Sequence, residues 1–339
     1  MATASNAKIQ IELGQTLVSM AAMTDSGDNQ IFTKTSSNVW SGKEGYEPDV
    51  VVDGVVTGRN MLSTHTTNDT VTVAGFTANS QGTLHTVTAT TTTITRPAGD
   101  VAKINSVTMN SSGTIAVVAG VDSATTAFSE TRGANGGPPY IPVGSVEIGQ
   151  IRVTTQAAGA IAASEIFQVD GTHTERFDYP LWTENNIGNG AKADTTAEKY
   201  AHIKFNSALP TIHTADVTKG VYIELYTPAL SDLSRTVDFV PAEKSHSSSS
   251  QQIYGDTIAS FSESLGAGSF TALLSDGVTD ALVAEKNEKL TVKFFPNRNK
   301  APYVLTQGTV GLSRTFPAGT QVQATVSISS EVESAEFSA

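Results

Sequence analysis

Between Gln321 and Ser329 apolar and polar residues alternate without a break. Val322, Ala324, Val326 and Ile328 fall on one side of an extended chain; Gln321, Gln323, Thr325, Ser327 and Ser329 fall on the other. A helix cannot sort these residues, because its side chains repeat every 3.6 positions. A strand repeats every two, and buries one face while wetting the other. The same period runs through Gly220–Tyr226, where Val221, Ile223 and Leu225 oppose Tyr222, Glu224 and Tyr226. It returns at Leu290, Val292 and Phe294 against Thr291, Lys293 and Phe295, and more briefly at Ile9–Leu13. Phe316–Thr320 carries the Pro and Gly of a reversal between the last two strands, which predicts an antiparallel pair.

The stretch 48–168 has a different texture, rich in Thr, Val, Ala and Gly. Strand-sized runs at Val71–Phe76, His85–Ile94, Ile104–Met109, Thr114–Ala119 and Val143–Val153 are separated by turn signals at Arg96–Asp100 and Asn110–Gly113. Short strands at this spacing predict a small all-β domain. Three segments result: 1–47, with a first strand, a turn at Asp25–Asp28 and an exposed connection at Trp40–Tyr46; 48–168, an inserted or decorating β domain; and 169–339, the main domain with its C-terminal tail. A length of 339 residues suits about two domains.

One helix is expected after Asp276. That residue can cap it, Asp280 sits in its first turn, and Lys286 and Lys289 sit near its end, as the helix dipole favours. Val278, Ala281, Leu282 and Glu285 have helical spacing. The tract Lys244–Gln252, with four consecutive serines, reads as a flexible loop, or as a loop that orders against a neighbouring subunit. The fold class is therefore mainly β, with one helix and an inserted small β domain.

Charge and composition narrow the function. The formal net charge is -12. An acidic surface opposes nucleic-acid binding, which needs Lys and Arg to displace counterions from phosphates. The chain has no cysteine, so disulfides, thiolate zinc sites and a cysteine nucleophile are excluded. No run approaches the roughly 20 apolar residues that span a bilayer, and the N-terminus lacks the pattern of a secretory signal.

The search for chemistry finds little. Gly133–Pro139 lacks the Lys-Ser/Thr of a phosphate loop, and its two prolines remove amide donors. The six histidines are His65, His85, His173, His202, His213 and His246, and none sits at metal-ligand spacing. His173 lies near Asp170, Glu175 and Asp178, a carboxylate–imidazole grouping that reads more simply as a solvated loop. There is no Gly-x-Ser-x-Gly elbow. Asp53-Gly54 and Asp69-Thr70 lack the dense oxygen spacing of a calcium loop. No catalytic residue, cofactor or metal is expected, and the chain reads as a structural protein rather than an enzyme.

The C-terminal region carries a resemblance. Lys289-Leu-Thr-Val-Lys-Phe-Phe-Pro296, then Gly308-Thr-Val-Gly-Leu-Ser-Arg-Thr-Phe-Pro-Ala-Gly319, then Val322-Gln-Ala-Thr-Val-Ser-Ile328 and a Ser/Glu-rich tail resemble the end of a major tail tube protein of long, non-contractile-tailed bacteriophages of the chi-like kind. The preceding helix and the strand around Phe261-Ser262-Glu263 fit that pattern, and the likeness covers roughly residues 200–330. Residues 48–168 lie outside it.

The resemblance implies a β-sandwich or barrel whose copies join into rings of six. Those rings stack into a hollow tube through which genomic DNA leaves the capsid without specific binding. It implies assembly in the host cytoplasm, residence in the virion tail, and partners such as the tape measure, tail terminator and distal tail proteins. Under it, Glu224, Asp238 and Glu263 are candidates to line the lumen. Ser245, His246, Ser248, Gln251, Glu331, Glu333 and Glu336, with the N-terminal arm, are candidates for contacts between rings. The alternative is a surface-exposed module that binds a receptor or carbohydrate, for which the Thr-rich stretch 48–168 is suited.

Overall fold

The structure is a computed structural model. It describes residues 6–34, 39–168, 182–185, 202–214 and 217–337. The grouping of Asp170, His173, Glu175 and Asp178 lies outside them.

The chain is mainly β, as the alternation predicts. Among the described residues the largest sheet has nine strands, in the order Thr236–Val240, Gly268–Leu274, Val322–Ser329, Tyr303–Thr315, Lys289–Phe295, Lys8–Ala22, Val221–Leu233 and Asp49–Val52. The ninth, Ala335–Phe337, pairs with Tyr303–Leu305. All these pairings are antiparallel. Tyr303–Thr315 and Val322–Ser329 form the predicted pair across the Phe316–Thr320 reversal. Ala324, Val326 and Ile328 are buried, whereas Gln323, Thr325, Ser327 and Ser329 are exposed.

The sheet folds over on itself in the manner of a sandwich. Ile9 and Ile11 from the N-terminal strand share a core with Phe270, Leu274, Val292, Val326 and Ile328 from the other half. Phe239 of the outermost strand stacks on Phe294, ring centroids 4.5 Å apart. A second core lies beneath Val221, Ile223 and Leu225, where Phe32, Trp40, Ile203 and Phe205 meet them.

Residues 54–168 supply a core of their own. It is drawn from three small sheets and includes Val55, Val71, Phe76, Val107, Ile148 and Ile151. Val71–Phe76 does not form one strand, nor does His85–Ile94. Each divides, as Thr70–Val73 and Phe76–Ser80, and as Thr83–Val87 and Thr90–Thr93. The chain passes from one sheet to another at Ala74-Gly75 and again at Thr88-Ala89, so both halves of each run reach the shared core. Asn110 builds the predicted turn, its Oδ1 accepting the amides of Ser112 and Thr114, both at 2.9 Å.

Three further expectations are corrected. Trp40–Tyr46 is exposed only at Glu44 and Gly45: Trp40 and Ser41 are almost fully buried. Glu12, itself buried, accepts hydrogen bonds from Ser41 Oγ at 2.5 Å and from the Thr291 amide at 3.0 Å. Gln307 Nε2 donates to the Trp40 carbonyl at 3.1 Å, and Lys43 pairs with Glu285 at 2.7 Å. A buried carboxylate is tolerated where donors surround it, and these donors pin the segment to the sheet.

The helix is a single turn, Ala281–Ala284. Leu282 is buried but Val278 is exposed, so no apolar stripe forms. Asp276 caps the turn before the helix instead, accepting the amides of Val278 and Thr279 at 2.7 Å each. Asp280 reaches back to the amides of Ser275, at 2.9 Å, and Gly277, at 2.8 Å. The two carboxylates satisfy the local backbone in a tight turn, which competes with helix extension.

The third correction concerns Lys244–Gln252, which is a strand and not a loop.

Candidate assembly surface

Lys244–Ile253 pairs along its whole length with Asp256–Leu265, in continuous register from Lys244↔Leu265 to Ile253↔Asp256. The two strands form a sheet by themselves. Tyr254-Gly255 closes the hairpin, and Gly255, at φ 84°, takes the left-handed conformation that such a reversal needs. The hairpin leaves the large sheet between Thr236–Val240 and Gly268–Leu274, themselves neighbours at its edge.

Period two sorts the hairpin into two faces. On one, serines pair across the strands: Ser245 with Ser264 at 2.9 Å, Ser247 with Ser262 at 2.6 Å and Ser249 with Ser260 at 2.6 Å, hydroxyl to hydroxyl. Cross-strand hydroxyl pairs of this kind stabilise a ladder modestly. On the other face Lys244 Nζ lies 2.5 Å from Glu263, and His246 Nδ1 lies 3.9 Å from the same carboxylate. The hydrogen bond from Lys244 holds the Glu263 carboxyl below the usual carboxylate range and raises Lys244 in turn.

Exposure is the unusual property. Every residue from Lys244 to Ser264 is exposed, and only Leu265 is partly covered. Phe261 is 82% exposed, and Tyr254, Ile258 and Ile253 are also uncovered. A two-stranded ribbon with nothing packed on either face is marginally stable in water. Apolar side chains left open on such a ribbon form the kind of surface that partners cover.

The edge strand Thr236–Val240 adds to this surface. Val237 and Val240 are each about half exposed. Asp238, at φ 59°, breaks the pairing register between Val237 and Val240, a bulge of the sort that interrupts edge strands. A shallow cleft of about 240 Å³ lies beside it, lined in part by Ile9, Val237, Phe239 and Phe294.

The residues expected to line a lumen occupy separate places. Glu224 is half-buried on Val221–Leu233, opposite Asp49. Asp238 is exposed at the far end of the strand order, and Glu263 is on the hairpin with Lys244 as its partner. Within one chain they do not form a common acidic face.

The contact candidates divide into two groups. Ser245, His246, Ser248 and Gln251 are together on the hairpin. Glu331, Glu333 and Glu336 lie at the C-terminus, where Glu331 is 3.2 Å from Lys289. The Ala335–Phe337 strand there docks on the large sheet, with Phe337 stacked on Tyr303 at 4.7 Å.

Among the described residues no group of three or more His, Asp or Glu is placed to hold a metal ion. His213 is buried with its ring nitrogen 3.3 Å from the Ser145 carbonyl, and burial lowers the pKa of His202. The buried Glu147 receives Arg132 Nη2 at 2.5 Å and the hydroxyl of Ser106, while Arg152 pairs with Glu130 through both oxygens at 2.6 and 3.0 Å. These charges pair with one another, Arg132 with the buried Glu147 and Arg152 with the exposed Glu130. No helix among the described residues is long and apolar enough to cross a membrane. No protein-family model, curated protein or solved structure matches the chain.

Proposed function

We propose that this chain is the repeating subunit of a hollow tail tube of a long, non-contractile-tailed bacteriophage. Six copies join into a ring and rings stack, so that DNA passes through the bore. The uncovered hairpin Lys244–Leu265 is the observation that carries this reading. A ribbon so long, with both faces wet and Tyr254 and Phe261 open to solvent, gains stability once a neighbouring copy covers it.

Other features support the same reading. The large sheet ends in the exposed edge Thr236–Val240, and joining such edges around a closed ring removes them. The net charge of -12 suits a bore along which phosphates slide without binding. In this arrangement Ser245, His246, Ser248 and Gln251 lie between rings, and Glu224, Asp238 and Glu263 are brought towards the bore by different subunits. The tape measure, terminator and distal tail proteins are its partners in the virion tail, and assembly takes place in the host cytoplasm.

The test replaces Lys244–Leu265 by a short turn and follows sedimentation against concentration. The account expects the wild type to form large, sedimenting assemblies and the shortened chain to stay monomeric with an unchanged melting temperature. Equal assembly of both chains would remove the hairpin from the interface. A wild type that stays monomeric, yet binds a glycan or a cell surface, would favour a receptor-binding module.

A further inference from the structure

The core of residues 54–168 meets the large sheet at Asp53. This residue is the single step between Asp49–Val52, in the large sheet, and Gly54–Thr57, in one of the small sheets. Its amide donates to the Gly220 carbonyl at 3.0 Å. Its Oδ1 accepts the Gln81 amide at 2.8 Å. Gln81-Gly82 is the tight turn between Phe76–Ser80 and Thr83–Val87, with φ of 51° and 72°. That turn is seated against the large sheet: a Cβ added at Gly82 would lie 2.6 Å from Met20 Cγ and 3.2 Å from Tyr222 Cβ. Asp53 thus holds the small domain's turn and Gly220, the residue that leads into Val221–Leu233, at once.

The side chain is only 1% exposed, and Oδ2 has no hydrogen-bond partner among the described residues. Space around it is closed, since a Cβ at Gly220 would meet Oδ2 at 2.7 Å and Tyr222 Oη at 2.9 Å. Lys219 and Tyr222 are the titratable groups that face it from the sheet side, and the amides of Gln81 and Gly220 are its polar neighbours. Burial raises the Asp53 carboxyl to about 7, against the opposing pull of the Gln81 amide, the Lys219 charge and the Gly220 amide. Its own burial, and then the Asp53 charge, push the Tyr222 phenol up to about 12.

We propose that Asp53 is a proton-operated latch that seats the small domain on the large sheet when its carboxyl is neutral and loosens that junction when the carboxyl ionises. The sign follows from linkage. Undocked, the carboxyl titrates at its ordinary value of 3.8; docked, at about 7. The docked form holds the proton more tightly, so docking is favoured fully below the ordinary value and loses that support as pH rises through about 7. The latch stands apart from the tube reading and holds for a monomer.

Amide hydrogen exchange on the full chain tests it, at about pH 5.5 and about pH 8.5 with rates corrected for intrinsic base catalysis. The reporters are the Gln81 and Asp53 amides, with Val326 as a remote control. The wild type is expected to lose at least roughly tenfold in protection at both reporters across this interval, with Val326 unchanged. Asp53→Asn, which keeps an acceptor for Gln81 but has no proton to lose, is expected to show no such loss. An equal loss in both proteins, or none in the wild type, overturns the latch. If Asp53→Asn does not fold, the wild-type carboxyl carbon is titrated by NMR instead. A midpoint near 7 that the loss of protection at Gln81 follows upholds the latch; one near 3.8, or one that the exchange does not follow, overturns it.

Discussion

Phe261 offers a direct way to separate assembly from folding. It pairs with Ser248 in the hairpin register and is 82% exposed, with no core beneath it. Phe261→Ser therefore leaves the isolated subunit within about 0.5 kcal/mol of wild type, as surface changes do. Burial of a whole Phe side chain is worth about 1.5–3 kcal/mol. Since nearly all of this ring is open in the free chain, covering it contributes about 2 kcal/mol to each contact, or roughly 30-fold in association constant. In the proposed stack every subunit presents the same ring, so every contact loses the same amount. The assay is sedimentation across a concentration series, with thermal unfolding of the dilute protein alongside. The critical concentration for assembly should rise roughly 30-fold with the melting temperature unchanged. A critical concentration within about threefold of wild type would refute burial of Phe261. A fall in melting temperature would refute the claim that the hairpin lies outside the monomer's cooperative core.

Three further substitutions probe the scaffold. Glu12→Ala strands the Ser41 hydroxyl and the Thr291 amide, both buried. At about 1–3 kcal/mol for each orphaned donor, urea unfolding should show a loss of about 4 kcal/mol, with increased exposure of Trp40 by fluorescence. Arg132→Ala removes the Arg132 guanidinium from the buried Glu147. Breaking such a pair costs about 3 kcal/mol, expected as faster amide exchange in 103–153 and not in 322–329. Asp276 is held down to about 2, first by the Thr279 hydroxyl and then by the amides of Val278 and Thr279. Its folded pKa is depressed, so its contribution is complete above the ordinary 3.8 and is lost as pH falls towards 2. Exchange at the Val278 amide should accelerate over that interval in the wild type, and Asp276→Ala should show fast exchange at every pH.

The sequence made the large sheet legible where one face is buried and the other wet. Val322–Ser329 and Val221–Tyr226 satisfy that condition, and their alternation matches their burial. It failed where local and tertiary forces diverge. Trp40-Ser41-Gly42 has the composition of a loop, and it joins the core through distant residues: Phe205 and Ile223 pack with Trp40, and Glu12 and Gln307 hydrogen-bond the segment. The run after Asp276 has helical spacing, but two short carboxylates capture the amides that a helix would use.

The strand around Phe261-Ser262-Glu263 is present as Asp256–Leu265, but its hairpin partner Lys244–Ile253 is hidden for a different reason. Serine has no strong strand preference, and a ribbon exposed on both faces shows no apolar alternation. The readable signal was the Tyr254-Gly255 reversal between two ten-residue strands. In sequence, Asp53-Gly54 shows nothing beyond the spacing of an incomplete calcium loop. Its burial depends on Gln81, Gly220 and Tyr222, which no local pattern links to it.

The most direct test of the central claim is cryo-electron microscopy of the purified chain at high concentration. A tail tube subunit gives hollow filaments of uniform width, six-fold in cross-section, with the Lys244–Leu265 hairpin packed against the adjoining ring. Monodisperse single particles at every concentration, with that hairpin still open to solvent, would contradict it.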